Sequence, residues 1–425
     1  MGLALAFVAL PLYVLLPNHY ARQFGVPLSA LGAVLLITRL ADALIDPLLG
    51  RWVDRLFHRS LGAVQRFTAV ACVLMALGFA ALFFPPVQSA QALLWVSTGL
   101  LMVTYASFSA VTVAHQTWGA MLGGTAVEQS RVVAWREGLG LLGVVLASVV
   151  PTVLGLEAMV GLFALALAAG CLLWRTAPRP ALAHLEPAPE VSEDQQTHHL
   201  SKLSGVDTKA TVSLVLPFKD IAFVRLISVF VVNGMASAIP ATLMLFFVQD
   251  RLQAPAGMET VFLGTFFMCA AASMPLWLKA VARWGLARSW LSGMCLSTAV
   301  FVGASVLGQG QTTAFVLICI ASGLAMGADL ALPGALLAGV IQHSQRLQNA
   351  QATCWGWWNF ATKLNLALAA GVALPVLGAL GYTPGARDAS ALQALTVAYC
   401  LLPCILKLIA SAGLYIWLVR PQARA

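Results

Sequence analysis

The sequence predicts an all-α membrane protein with about twelve transmembrane helices in two six-helix bundles. Three observations carry this. Of 425 residues, 60% are hydrophobic and only 9% are charged, far fewer charges than a soluble chain of this length displays. Apolar runs recur at close to the ~20 residues that cross a bilayer, where a membrane barrel would show short alternating segments. One polar stretch, rich in Pro, Ser and mixed charge, interrupts the pattern at 175–216 and reads as a flexible linker.

The expected spans are 2–23, 28–50, 64–84, 90–122, 131–154 and 156–174 before the linker. After it come 217–249, 258–282, 288–308, 311–341, 349–380 and 390–419. Segments 90–122, 311–341 and 349–380 exceed one bilayer thickness, so they should tilt or extend beyond it. The chain divides into an N-terminal bundle at 1–174, a linker at 175–216 and a C-terminal bundle at 217–425.

Loop charge sets the orientation. Arg51, Arg55, Arg59 and Arg66 follow span two, Arg131 and Arg136 open span five, and Arg175, Arg179, Lys202, Lys209 and Lys219 flank or lie in the linker. Lys279, Arg283, Arg288, Arg346, Arg420 and Arg424 continue on the same side, which alternates with loops holding little beyond Arg22, Arg251 and Arg387. The positive-inside rule then places both termini in the cytoplasm of a multi-pass inner-membrane protein. It also accounts for the net charge of +8 without nucleic acid. The first span lacks a basic n-region and a cleavage site, so no cleavable signal peptide is expected. The eight cysteines lie in apolar segments without a CxxC and read as small buried hydrophobes. His198 and His199, in the linker, lack metal-ligand spacing.

Charges inside the spans point to function. TRLADALIDPLLGRWVDR, 38–55, sets Arg39, Asp42 and Asp46 on one helical face. Such groups at hydrocarbon depth should face a protein interior or a watery cavity. Arg39 can neutralise one carboxylate; the other needs a proton or a cation. A structural pin between helices and an ion-coupling site both fit. Pro47 weakens the backbone ladder beside them. Lys363, with Asn359, Thr362 and Asn365, lies inside span eleven and needs a carboxylate partner, for which span two is the source. Span four offers Thr112 and His115 on one face, followed by Gln116 and Trp118. His115 suits either a hydrogen-bonded core position or contact with a substrate or proton. Trp118 and Gln116 suit a sugar face with one polar partner, or plain packing. Arg136 is either a loop cation or a site residue. Trp355, Trp357 and Trp358 offer cavity wall or interfacial anchors. Asp329 in span ten is a further buried acid, for function or packing.

R-x-x-D-x-x-x-D-P, then Gly50, Asp54 and Arg55, resembles the second helix of the glycoside–pentoside–hexuronide:cation symporters, the melibiose-carrier family of the major facilitators. The resemblance covers nearly the whole chain. It implies a major facilitator fold with bundles related by an axis along the membrane normal. The turns GRWVDRLFHRS, 50–60, and LKAVARWGLARS, 278–289, echo each other accordingly. It also implies that Asp42, Asp46 and Thr112 hold the coupling cation, with Lys363 close by, and that the two acids are the metal ligands if that cation is sodium. Gly50, Asp54 and Arg55, with Arg131 and Arg346, would form a cytoplasmic charge network bracing one access state. His115 falls where the family keeps a sugar-binding Asp, and Arg136 where it keeps an Arg near the sugar. Ile45 replaces a cation-binding Asn, which favours protons over sodium. Ala6 and Gly339 replace other family acids.

The expected function is symport of a sugar or glycoside-like solute, coupled to H+ or Na+, by alternating access. A lysolipid or other amphiphile carrier of the same branch is the alternative. Substrate contacts would be His115, Gln116, Trp118, Arg136 and Trp358. No nucleophile–base pair or metal spacing suggests an enzyme. No cofactor beyond the ion is expected. The partners would be a small-molecule substrate and membrane lipids, with no nucleic acid, and the protein a monomer.

Overall fold

Helix starts are encoded in the connections. Ser60, Ser89, Thr125, Asp220 and Asp388 each take extended backbone, and each side chain accepts a backbone N–H of the following first turn. The computed structural model describes residues 1–26, 28–87, 89–180, 213–255, 257–383 and 385–422. His198, His199, Lys202, Lys209 and Arg424 lie outside them.

The first bundle comprises α1 (2–23), α2 (Leu28–Arg59), α3 (Leu61–Phe83), α4 (Ala90–Met121), α5 (Ala126–Val153) and α6 (Gly155–Arg175). The second comprises α7 (Ile221–Arg251), α8 (Met258–Trp284), α9 (Leu286–Val306), α10 (Thr312–His343), α11 (Gln351–Ala379) and α12 (Ala389–Val419). Among the described residues, nine helices, α3 to α10 and α12, are long and apolar enough to cross a membrane.

Two boundaries differ from expectation for one reason. Hydropathy marks bilayer thickness, whereas a helix continues to its cap. α2 runs on to His58 and Arg59, and the Arg59 cation suits a helix C-terminus. α5 starts at Ala126 because Thr125 and Glu128 form a capping box. Glu128 Oε2 accepts from Thr125 N at 2.7 Å and Oγ1 at 3.0 Å, and Thr125 Oγ1 accepts from Glu128 N at 3.3 Å. Thr125→Ala should cost about 1 kcal/mol. Thermal unfolding of the purified protein should fall by no more than a few degrees, with transport unchanged.

α2 shows how the bundle is oriented. Leu36, Leu40, Leu44 and Leu48 are exposed at four-residue spacing, while Thr38, Asp42 and Asp46 on the opposite face are buried, as is Asp54 two turns further along. The leucines cover a lipid-facing stripe and the acids turn inward. One hydrophobic cluster belongs to the first bundle and one to the second. A third is shared: Val53, Phe57, Val113 and Trp118 join Leu226, Leu337, Ile341 and Trp355. This shared core lies at the end of the molecule that carries the linker, hereafter the linker side.

There α2 and α11 come into backbone contact through a glycine from each helix. A side chain at Gly50 would collide with the carbonyl of Ala352, and one at Gly356 with the backbone of Asp46 and Pro47. Small residues are what permit such an approach between membrane helices.

Candidate functional site

The close α2–α11 crossing brings Lys363 against the acids of α2. Its Nζ lies 2.7 Å from Asp42 Oδ2 and 2.9 Å from Asp46 Oδ2. It also donates to Asp46 Oδ1 at 3.0 Å and to Ser109 Oγ on α4 at 2.8 Å. Ser109 Oγ in turn donates to Asp42 Oδ1 at 2.7 Å. Side-chain exposure is 8% for Asp42, 0% for Asp46 and 21% for Lys363. One ammonium is thus shared by two carboxylates in a site largely shut from water. Removing one partner of such a pair is costly, because it strands a buried charge.

Arg39 and Thr112 are the other residues expected at this site. The Arg39 guanidinium lies over the Tyr105 ring, 5.8 Å from the centroid. Thr112 Oγ1 is buried with no hydrogen-bond partner among the described residues. The α4 hydroxyl that closes the cluster is Ser109, one turn earlier. Ser109 and Thr112 share a helical face, so spacing alone cannot choose between them.

The expected substrate residues separate into two groups. His115, Gln116, Trp118 and Arg136 line a cavity of about 230 Å³ together with Trp174 and Trp355. His115 meets Trp174 edge-on at 5.3 Å, and its Nδ1 is buried and unpartnered among the described residues. Arg136 donates through Nε and Nη2 to Glu137 at 2.9 and 2.8 Å and lies over Trp355 at 5.8 Å. Gln116 accepts from Asn359 of α11 at 2.9 Å, which ties the bundles together. Trp118 donates to Pro178 O at 3.0 Å. Trp358 is the exception. It is buried and stacks on Phe230 at 3.7 Å, away from this cavity wall, because an indole so positioned gains more from ring packing.

The bracing contacts also differ in kind. Asp54 accepts from Ala352 N at 2.7 Å, Thr353 N at 2.8 Å and Thr353 Oγ1 at 2.6 Å. The acid therefore caps α11 across the bundle interface, where first-turn N–H groups lack helical partners. The expected Arg network is replaced by this cap: Arg55 and Arg131 are exposed, and Arg346 donates to Lys219 O at 3.5 Å. Gln342 to Ala120 O at 3.0 Å and His58 to Asn349 O at 3.1 Å complete the linker-side closure.

Asp54→Ala leaves buried donors unsatisfied, at about 1–3 kcal/mol each. The neighbouring Cys354 is wholly buried in the closed interface. Its reaction with a membrane-impermeant maleimide applied from the linker side should therefore rise at least severalfold. Unchanged protection of Cys354 would show that the cap does not hold the closure.

Lys407, a charge in an apolar span, was missed in reading the sequence although it carries the same signal as Lys363. It pairs with Asp329 at 2.6 Å.

Two six-helix bundles closing on a buried ion cluster, beside a cavity walled mainly by the first bundle, have the architecture of a membrane transporter. The chain belongs to the family described as MFS/sugar transport protein, which matches residues 1–419, and it is a secondary transporter of the major facilitator fold. It is 22% identical over 419 residues to an uncharacterised symporter, YjmB, of Bacillus subtilis (strain 168), covering 92% of this chain and 84% of that one. A bacterial homologue of the iron transporter ferroportin, in an outward-facing state, superposes with a TM-score of 0.70 at 14% identity, over 98% of this chain and 97% of that chain. The Escherichia coli fucose:proton symporter does so with a TM-score of 0.65 at 14% identity, over 96% of each.

Proposed function

We propose that the protein is a proton-coupled symporter of the melibiose-carrier type, carrying a sugar or glycoside-like solute. The observation that supports this most is the single Lys363 ammonium shared between Asp42 and Asp46. A proton arriving on one carboxylate loosens the hold on Lys363. The two bundles are then freed to move about the crossing. The Ile45 position, where the resemblance expects an oxygen ligand, offers only carbon, so a proton suits the site better than sodium. We place the linker side in the cytoplasm, on the distribution of Arg and Lys. The closure there leaves the site to be loaded from the opposite side. Substrate binds in the cavity of His115, Gln116, Trp118 and Arg136, and the carrier acts as a monomer.

The test is uptake into vesicles of a panel of sugars, glycosides, hexuronates and lysolipids, driven separately by pH and sodium gradients. Accumulation of one sugar-like solute under the pH gradient alone is expected. Accumulation driven only by sodium, or of lysolipid only, would replace this reading.

A further inference from the structure

A second buried ion pair lies wholly within the C-terminal bundle and has no part in the transport cycle described above. Lys407 on α12 and Asp329 on α10 meet at 2.6 Å, with side chains 8% and 7% exposed. Asp329 Oδ1 also accepts from Trp290 Nε1 at 2.8 Å and Asn233 Nδ2 at 3.2 Å. Three donors therefore satisfy the carboxylate. Lys407 has three protons, one on Asp329 and one loosely on Ser237 Oγ at 3.4 Å.

The pair forms the inner end of a cavity of about 200 Å³. Along α10 the cavity extends from Phe315 to Asp329, about 20 Å of helix. Its walls are mostly carbon, with Phe262, Phe301 and Phe315 among them; Ser297 and Tyr399 add hydroxyls, while those of Thr298 and Ser322 donate to Met294 O at 2.9 Å and Ile318 O at 2.6 Å. The charged feature at its inner end is the corner of Lys407, Asp329 and Ser237. An apolar cavity of about 150 Å³ suffices for a benzene ring, so this one has room for a larger lipophile.

Charge decides what kind. The ion pair sums to zero, and three donors already hold its carboxylate. A ligand anion would bring an unpaired negative charge into an apolar pocket, and a cation would face the ammonium; both are heavily penalised. An uncharged oxygen can take the remaining Lys407 proton at no such cost. We propose that this cavity binds an uncharged lipophilic molecule that presents one hydrogen-bond acceptor, a carbonyl or hydroxyl oxygen, to Lys407 Nζ.

Three matched photoprobes test this on the full chain in lipid nanodiscs: benzophenone, 4-benzoylbenzoate and (4-benzoylbenzyl)trimethylammonium. Their shared aryl ketone is both ligand and crosslinker, and adducts are mapped by mass spectrometry. Benzophenone should label Met244 or Met326 in the cavity wall saturably, at least about tenfold more efficiently than either charged probe, because only the charged probes bring an unpaired charge into the cavity. The Lys407→Met, Asp329→Asn double variant removes both charges together, which spares the fold a stranded ion, and should lose that labelling. Equal labelling by the three probes, labelling confined to the lipid-facing surface, or full labelling of the double variant would overturn the proposal.

Discussion

Asp46→Asn is expected to reduce uptake against a concentration gradient to the level of vesicles without the protein. The Asp46 carboxylate is fully buried and takes contacts from Lys363 at 2.9 and 3.0 Å. Asparagine keeps the shape and one acceptor but carries no charge and takes up no proton. Lys363 retains Asp42 at 2.7 Å and Ser109 at 2.8 Å, so no ammonium is stranded. Stability should fall by about 1–3 kcal/mol, the scale of a hydrogen bond to a charged group, rather than the ~3–5 kcal/mol of an orphaned buried ion. Folded protein is therefore expected to remain in the membrane without the proposed coupling step. The decisive comparison is pH-driven accumulation against substrate counterflow in the same vesicles. Counterflow should survive while accumulation vanishes. Accumulation retained at wild-type level would remove Asp46 from the coupling mechanism.

Gly356→Val has the second large effect. A Cβ at this position would stand 2.5 Å from Asp46 O and 3.0 Å from Pro47 Cα, both backbone atoms that cannot swing aside. The two helices must separate or tilt, and overpacking in a closed interface costs about 1–3 kcal/mol or more. That shift acts directly on the ion cluster, because Lys363 lies seven residues, two turns, along the same helix. Transport should be lost, and labelling of Cys354 from the linker side should rise about tenfold, a shift of ~1.4 kcal/mol in the closing equilibrium. Gly50→Val, from the opposite helix, should reproduce both effects, since its side chain would meet the Ala352 carbonyl. Wild-type transport with Cys354 still protected would mean the crossing is not a moving part.

The charged residues of the site were legible because charge at hydrocarbon depth has few explanations. The structure brings Asp42 and Asp46 to Lys363, which stands over three hundred residues further along the chain. Ser109 was not distinguishable from Thr112, since both face one way on α4 and only the height at which that helix meets α2 selects one. Asp54 illustrates a different limit. A sequence shows formal charges, so an arginine partner is the natural expectation. The first-turn N–H groups of α11 are donors that no residue letter displays. Lys407 and Asp329 lie on α12 and α10, and neither residue alone reveals the other.

Composition and periodicity by themselves determined that this chain is helical, lies in the membrane and divides in two, because hydrophobic burial and the ~20-residue crossing are properties of segments. They also marked Asp42, Asp46 and Lys363 as groups that must avoid lipid. Only the tertiary structure decided that one ammonium serves two carboxylates, that a glycine on each helix sets their distance, and that the linker side is shut by a helix cap. Those depend on which faces meet and how closely backbones approach, quantities fixed by packing between segments rather than by the pattern within any one of them.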